Sequence, residues 1–218
     1  MVGITIGWRG VLEMKALFLN CSLKTSETAS NTDALYKEAE VIFQQEGIES
    51  ENIRLADYKI AYGVSDDEGH GDEWPAIFEK VKAADILIVG TPLWLGEKSS
   101  IATLAIERLY GGSSLTNEKG QSLYYNKVGG VVITGNEDGA KHAAASILYG
   151  FSHIGITVPP NVDAYWVGEA GPGDSYIEAN GQKNDFSTGH AKTMAYNLIH
   201  FARNFNENPI PAKGNTME

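Results

Sequence analysis

The sequence predicts an α/β protein: a three-layer, doubly wound sandwich around a five-stranded parallel sheet in the order 2-1-3-4-5. Three observations point there. Apolar runs alternate with amphipathic stretches in the order β-α-β-α-β-α-β-α-β-α, which calls for a parallel sheet covered on both faces. Three of the runs, Lys15–Asn20, Asp85–Gly90 and Lys127–Thr134, lack polar alternation, as strands buried on both sides do. Each of the three runs into a loop of small, polar or aromatic residues, and a sheet of this order collects such loops at its carboxyl edge, where ligands bind.

The elements follow in turn. Lys15–Asn20 (KALFLN) is the first strand. From about Asn31 to Gln45 apolar residues recur at Leu35, Ala39, Ile42 and Phe43, the spacing of a helix face, and Gly47 ends it. Ile48–Leu55 is a less apolar strand, suited to an edge. Asp57–Asp72 is an acidic loop, and Trp74–Ala83 a short helix with Pro75 in its first turn. Asp85–Gly90 (DILIVG) is the third strand, Thr91–Lys98 a loop, and Ser99–Tyr110 a helix closed by Gly111 and Gly112. Lys127–Thr134 is the fourth strand, Gly135–Gly139 a loop, and Ala140–Ile154 a helix. The last strand region starts at Thr157 and continues to about Trp166. A Gly-rich polar excursion, Gly168–Phe186, leads to a final helix from about Ser187 to Asn204.

Domain boundaries follow. Residues 1–14 read as a leader outside the fold, with Met14 a candidate natural start; 15–205 form one domain, and 206–218 a flexible tail without periodicity. The leader lacks the basic start, apolar core and cleavage site of a signal peptide.

With 43% hydrophobic and 21% charged residues over 218 positions, the chain has ample core for a globular protein. A net charge of −11 argues against general nucleic-acid or anionic-membrane binding, since both need a basic face. No apolar run reaches membrane-span length. The single cysteine, Cys21, excludes an intrachain disulfide, is compatible with the cytoplasm, and reads as a small packing residue. His70, His142, His153, His190 and His200 show no metal-ligand spacing. The acidic run Asp66–Glu68 with Asp72 and Glu73 lacks a calcium-loop pattern, so no metal site is expected.

The three loops carry the chemistry. In the first, the hydroxyls of Ser22, Ser30 and Thr32 and the N–H groups of a helix start suit a dianionic phosphate, with Lys24 adding charge. Plain helix capping by Ser30 or Asn31 is the competing reading. In the second, Pro92 restricts the path and Leu93–Leu95 offer flat apolar surface; Trp94 suits ring stacking, but equally the core or a subunit interface. In the third, Gly135 and Gly139 let backbone approach a planar ligand, while an acidic turn capped by Asn136 or Asp138 explains the same residues. Together the loops fit parts of flavin mononucleotide. The dinucleotide fingerprint GxGxxG is absent after strand one, as is the GxxxxGK[ST] phosphate loop.

On these residues the chain resembles the flavodoxin-like NAD(P)H-dependent FMN reductase superfamily, close to the quinone reductases of the tryptophan-repressor-binding-protein type. The resemblance rests on CSLKTSETASNT at 21–32, ADILIVGTPLWLGEKSS at 84–100 and TGNEDGAKHAAASILYGFSHIGITVPP at 134–160, and covers about Lys15 to Asn204. It implies a flavodoxin-like fold and noncovalent FMN. The expected cofactor-binding set is Ser22, Lys24, Ser30, Asn31 and Thr32 from the first loop. The second loop adds Thr91, Pro92, Leu93, Trp94, Leu95 and Gly96, and the third adds Thr134, Gly135, Asn136, Glu137, Asp138 and Gly139. Tyr165, Trp166 and the 168–185 excursion are expected at the pocket rim.

It implies an enzyme in which NAD(P)H reduces the flavin and the flavin reduces a quinone, a free flavin or a similar small-molecule acceptor, with no dedicated side-chain acid or base. It also implies a homodimer or homotetramer, without nucleic-acid or membrane partners, in the cytoplasm. The alternatives are a flavodoxin-type electron carrier and a non-catalytic flavin-binding protein. Two departures bear on these. The Asp57–Asp72 segment lacks the clustered cysteines of the iron–sulfur members. The first loop lacks the TxTGxT form of small flavodoxins, which speaks against a pure carrier.

Overall fold

The computed structural model describes residues 14–217; the expected leader, except Met14, lies outside the described residues. The strands are β1 (Lys15–Asn20), β2 (Glu49–Arg54), β3 (Ile86–Trp94), β4 (Glu97–Lys98), β5 (Val128–Gly135) and β6 (Asp163–Val167). The helices are α1 (Asn31–Gln45), α2 (Trp74–Ala83), α3 (Ser100–Gly111), α4 (Ala140–Ile154) and α5 (Asp185–Glu207).

The sheet runs β2-β1-β3-β5-β6, all parallel, with β4 paired only to β3. Setting the short β4 aside, this is the expected doubly wound order. The strands β1, β3 and β5 occupy the centre, which is why they are apolar on both faces. On one face α2, α3 and α4 bury Trp74, Phe78, Leu109, Ile147 and Phe151 against Leu17, Leu87 and Val131. On the other, α1 and α5 bury Tyr36, Phe43, Met194 and Leu198 against Phe18, Ile88 and Val132. Cys21 is fully buried, and burial pushes its thiol well above the ordinary range, as befits a packing residue.

Two expectations change. Thr91–Lys98 is not a loop. The strand β3 continues to Trp94 because Thr91 and Pro92 still pair with Ile133 and Thr134 of β5. The chain then turns at Leu95 (φ 54°) and Gly96 (φ 78°) and returns antiparallel, with Leu93 opposite Lys98 and Trp94 opposite Glu97. Two consecutive positive φ values are the signature of a tight two-residue hairpin. The tail expected to be flexible also has contacts. Gln121 Nε2 donates to the Ile210 and Pro211 carbonyls at 3.2 and 3.3 Å, Ile210 N donates to Asn126 Oδ1 at 2.7 Å, and Met217 N donates to the Gly120 carbonyl at 2.9 Å. These partners lie in the excursion between α3 and β5, a pairing that local composition does not encode.

The loop expected over Asp57–Asp72 is held by one buried ion pair. Arg108 of α3 is fully buried and donates to Asp72 Oδ2 at 2.7 Å and to the Ala61 and Ser65 carbonyls at 2.8 and 3.0 Å. Burial pushes the Asp72 carboxyl up, but Arg108 and the N–H groups of Ala61, Glu68 and Trp74 outweigh it and hold it at about 2. The acidic run thus contains a structural anchor rather than a solvated loop alone.

Candidate flavin site at the carboxyl edge of the sheet

The strand β1 ends at Asn20, whose fully buried side chain organises the first loop. Its Oδ1 accepts from Ser22 N at 3.1 Å, and its Nδ2 donates to Ser30 Oγ at 3.4 Å. Ser22 Oγ and Ser30 Oγ lie 2.7 Å apart. Ser30 is the N-cap of α1, its hydroxyl accepting from Asp33 N at 3.1 Å. Capping and ligand binding are therefore not exclusive here. One hydroxyl closes the helix start while the Asn31 and Thr32 N–H groups, which precede the first intrahelical bond, remain available to an anion. Among the described residues neither of these two N–H groups has a protein acceptor.

Thr32, in the first turn of α1, meets Thr134 at the end of β5, with their hydroxyl oxygens 2.9 Å apart. This contact joins the first loop to the third. It needs Gly90 in the middle of β3: a Cβ there would lie 2.2 Å from the Phe18 ring and 2.9 Å from Thr32 Cγ2. The hairpin β3–β4 approaches the third loop as closely. Gly139 has φ 113°, and a Cβ on it would stand 2.3 Å from the Gly96 carbonyl oxygen. Glu137 Oε1 accepts from Leu95 N at 2.7 Å, fixing the hairpin turn.

These loops surround a cavity of about 550 Å³, within the size range of small-ligand sites. Ser22, Lys24, Ser30, Asn31 and Thr32 line it at one end, and Pro92, Leu93 and Trp94 along one side. Thr134, Gly135, Asn136 and Glu137 border it from β5. Five expected residues fall outside. Thr91 is fully buried, its hydroxyl donating to the Pro92 carbonyl and accepting from Ser99 N, both at 2.9 Å. Leu95 projects into solvent at the hairpin tip, 94% exposed. Gly96 and Gly139 are spent on the approach of the two loops, and Asp138 is exposed beside them. Thr91 is held inside β3, and the close approach of the β3–β4 turn to the loop after β5 keeps Leu95, Gly96, Asp138 and Gly139 out of the cavity lining.

The structure adds Leu23 and Ala29 from the first loop; of the expected rim, Trp166, Gly171, Ser175 and Tyr176 line the cavity, whereas Tyr165 does not and packs on Phe186 and His190. The excursion after β6 folds back over the cavity as a strap. Asn136 Nδ2 donates to the Gly173 and Asp174 carbonyls at 2.6 and 2.9 Å, and Ile177 N donates to Asn31 Oδ1 at 2.9 Å. Tyr176 is buried beneath the strap with its ring edge-on to Trp166, centroids 5.6 Å apart, and burial pushes its phenol up to about 12. Asn31 and Asn136 thus serve first as strap anchors. The Gly-rich, polar composition of 168–185 marked an unusual segment, but nothing local indicated where it would fold.

The donor set fits a flavin 5′-phosphate. Hydroxyls, a helix start and Lys24 gather at one end, and Leu93, Trp94 and Trp166 form an apolar slot beyond. The backbone at Thr134–Glu137 runs along the slot's border.

A sequence model described as NADPH-dependent FMN reductase matches residues 14–170. The chain is 46% identical over 196 residues to the divalent metal cation transporter MntH of Mycobacterium bovis, covering 87% of this chain but only 29% of that protein. It is 37% identical over 207 residues to the 8-demethyl-8-aminoriboflavin-5′-phosphate synthase of Streptomyces davaonensis, covering 91% of this chain and 80% of that one. Among solved structures it is similar to RosB with bound 8-demethyl-8-formylriboflavin-5′-phosphate: TM-score 0.85, 37% identity, 90% of this chain and 82% of the other. The Trp repressor binding protein of Bacillus subtilis shares the fold, with TM-score 0.51 and 18% identity over 82% of this chain and 96% of that one.

Proposed function

The chain belongs to the NADPH-dependent FMN reductase family, and from that premise we propose that it holds FMN in the carboxyl-edge cavity and uses NAD(P)H to reduce a quinone, a free flavin or a similar small acceptor. The observation that carries this is the juxtaposition of the α1 start and its paired serines with an apolar slot in one cavity. When bound, FMN supplies the hydride and electron chemistry.

The chain's own residues bind and orient. Ser22, Ser30 and the N–H groups of Asn31 and Thr32 hold the phosphate, with Lys24 as the nearby cation. Leu93, Trp94 and Trp166 exclude water from the ring. The Thr134–Glu137 backbone would border it, and the strap residues Gly171, Ser175 and Tyr176 would cover part of the cavity. No side chain is assigned a proton-transfer role.

A second reading is favoured by one specific observation. The similarity to a protein that carries a flavin 5′-phosphate intermediate reaches TM-score 0.85, against 0.60 for the apo NADH:FMN oxidoreductase EMOB. In this reading the flavin 5′-phosphate is a substrate whose ring is altered rather than a retained cofactor. Both readings share one site and one ligand class. Transport is not carried over from the mycobacterial relative: the chain spans 29% of that protein, and among the described residues no helix is long and apolar enough to cross a membrane.

The test is anaerobic mixing of the FMN-loaded protein with NADH and with NADPH. Rapid bleaching, followed by reoxidation on adding a quinone, supports the reductase. Bleaching only through a partner reductase supports the carrier. Flavin recovered with a changed mass after aerobic incubation supports the substrate reading, and absence of FMN binding refutes all three.

A further inference from the structure

One cation inside the first loop belongs to none of the three motif segments. Arg54 is the last residue of β2, and the register of the sheet places it directly opposite Asn20, where the first loop departs. Its guanidinium reaches beneath that loop. Nη1 donates to the carbonyls of Lys24 and Thr25 at 3.0 Å each and of Thr28 at 3.3 Å. Three residues on, Asp57 Oδ1 accepts from Ser26 N at 2.8 Å, and that N–H holds the exposed Asp57 carboxyl below the usual carboxylate range. The end of β2 thus supplies a donor for the loop's carbonyls and an acceptor for one of its amides.

The consequence follows from peptide geometry. In a trans peptide the N–H points opposite to the C=O of the preceding residue. Carbonyls 24 and 28 directed at Arg54 therefore direct the N–H groups of Thr25 and Ala29 away from it. Among the described residues neither N–H has a protein acceptor, and Lys24 and Ala29 line the cavity. Backbone N–H groups held in a fixed direction along one loop are a recurrent anion-binding device. The guanidinium keeps this arrangement although its own Nε is buried without a partner.

We infer that Arg54 is a positioning residue for the phosphate of the bound flavin: it acts through the carbonyls of Lys24 and Thr28 to present the amides of Thr25 and Ala29, without touching the ligand. The inference rests on the FMN reading of the cavity. It makes the phosphate loop preorganised in the free protein, so that ordering cost is not charged against binding.

The test compares the wild type with Arg54→Met, which removes the donors at similar length, and Arg54→Lys, which keeps the charge but not the planar fork. FMN and riboflavin are titrated separately by flavin fluorescence, and backbone exchange is followed by mass spectrometry over residues 23–30. In Arg54→Met, FMN affinity falls at least tenfold, riboflavin affinity stays within twofold, and exchange in 23–30 accelerates; Arg54→Lys lies between. Unchanged FMN affinity in Arg54→Met overturns the inference. So does an equal loss for FMN and riboflavin, which marks a general structural defect. A wild type that does not bind FMN removes the functional reading and this inference together, whereas wild-type binding with an indifferent Arg54→Met removes the inference alone.

Discussion

Replacing Ser30 with alanine separates the two jobs of one hydroxyl. Ser30 Oγ caps α1 through Asp33 N and closes a buried cluster with Ser22 Oγ and Asn20 Nδ2. Loss of a serine cap costs about 1 kcal/mol. Leaving the buried Ser22 hydroxyl without its partner costs roughly another 1 kcal/mol, while the longer Asn20 contact adds little. The free protein is therefore destabilised by about 2 kcal/mol, a shift of about 1 M in the urea midpoint for a slope near 2 kcal/mol/M. Binding shows a second, separate loss. Ser30 has one O–H to give, so donating it to the phosphate replaces its bond to Ser22; the gain of a charged over a neutral acceptor is about 1–2 kcal/mol, so FMN affinity falls roughly 5- to 30-fold while riboflavin affinity holds. Urea unfolding followed by circular dichroism reads the first effect, and parallel FMN and riboflavin titrations read the second. An unchanged midpoint refutes the capping role. Parallel loss of both flavins refutes the phosphate assignment.

Other outcomes follow from the same geometry. Asp72 is held at about 2 against an ordinary 3.8, so its ionised carboxylate, bonded to Arg108 and three backbone N–H groups, contributes about 2 kcal/mol above pH 3.8 that is lost as pH falls through about 2. Acid unfolding of Asp72→Asn should lack this component; a profile of the wild-type shape would show that the charge is unimportant. Trp94 is 56% exposed, so Trp94→Ala should cost under about 1 kcal/mol in stability while shifting the bound-flavin spectrum. An unshifted spectrum would place the ring elsewhere. Asn136→Ala removes its two bonds to the strap and leaves the Asn31 bond, and hydrogen exchange over 171–177 should accelerate about tenfold, with faster FMN dissociation in stopped flow. Unaltered exchange would mean that Asn31 suffices as an anchor.

Much of this site is legible in the chain itself. Ser22, Ser30 and Thr32 are readable because a strand end, a hydroxyl-rich loop and a helix start are consecutive. Trp94 and Leu93 are readable because an apolar run continues through Pro92 into large apolar residues at the carboxyl end of its strand. Leu95, Gly96, Asp138 and Gly139 go with their loops by position, and position alone misses the hairpin. Whether a residue faces the cavity depends on the pairing of Leu93 with Lys98 and on the contact of Gly139 with Gly96. Arg54 carries no local signal at all: it is an ordinary basic residue on an edge strand until register sets it beside Asn20.

The sequence alone determined the layered architecture, the helix starts and the chemical character of each loop. Those properties arise from hydrophobic period and capping, which are local. Only the tertiary structure decided that the strap is fastened over the cavity through Asn31 and Asn136, and that Arg54 underlies the phosphate loop. Each of these contacts joins residues far apart in the chain through single side chains directed at backbone carbonyls or amides. Such partners are selected by sheet order and register, because any residue presents a carbonyl and nearly any presents an N–H.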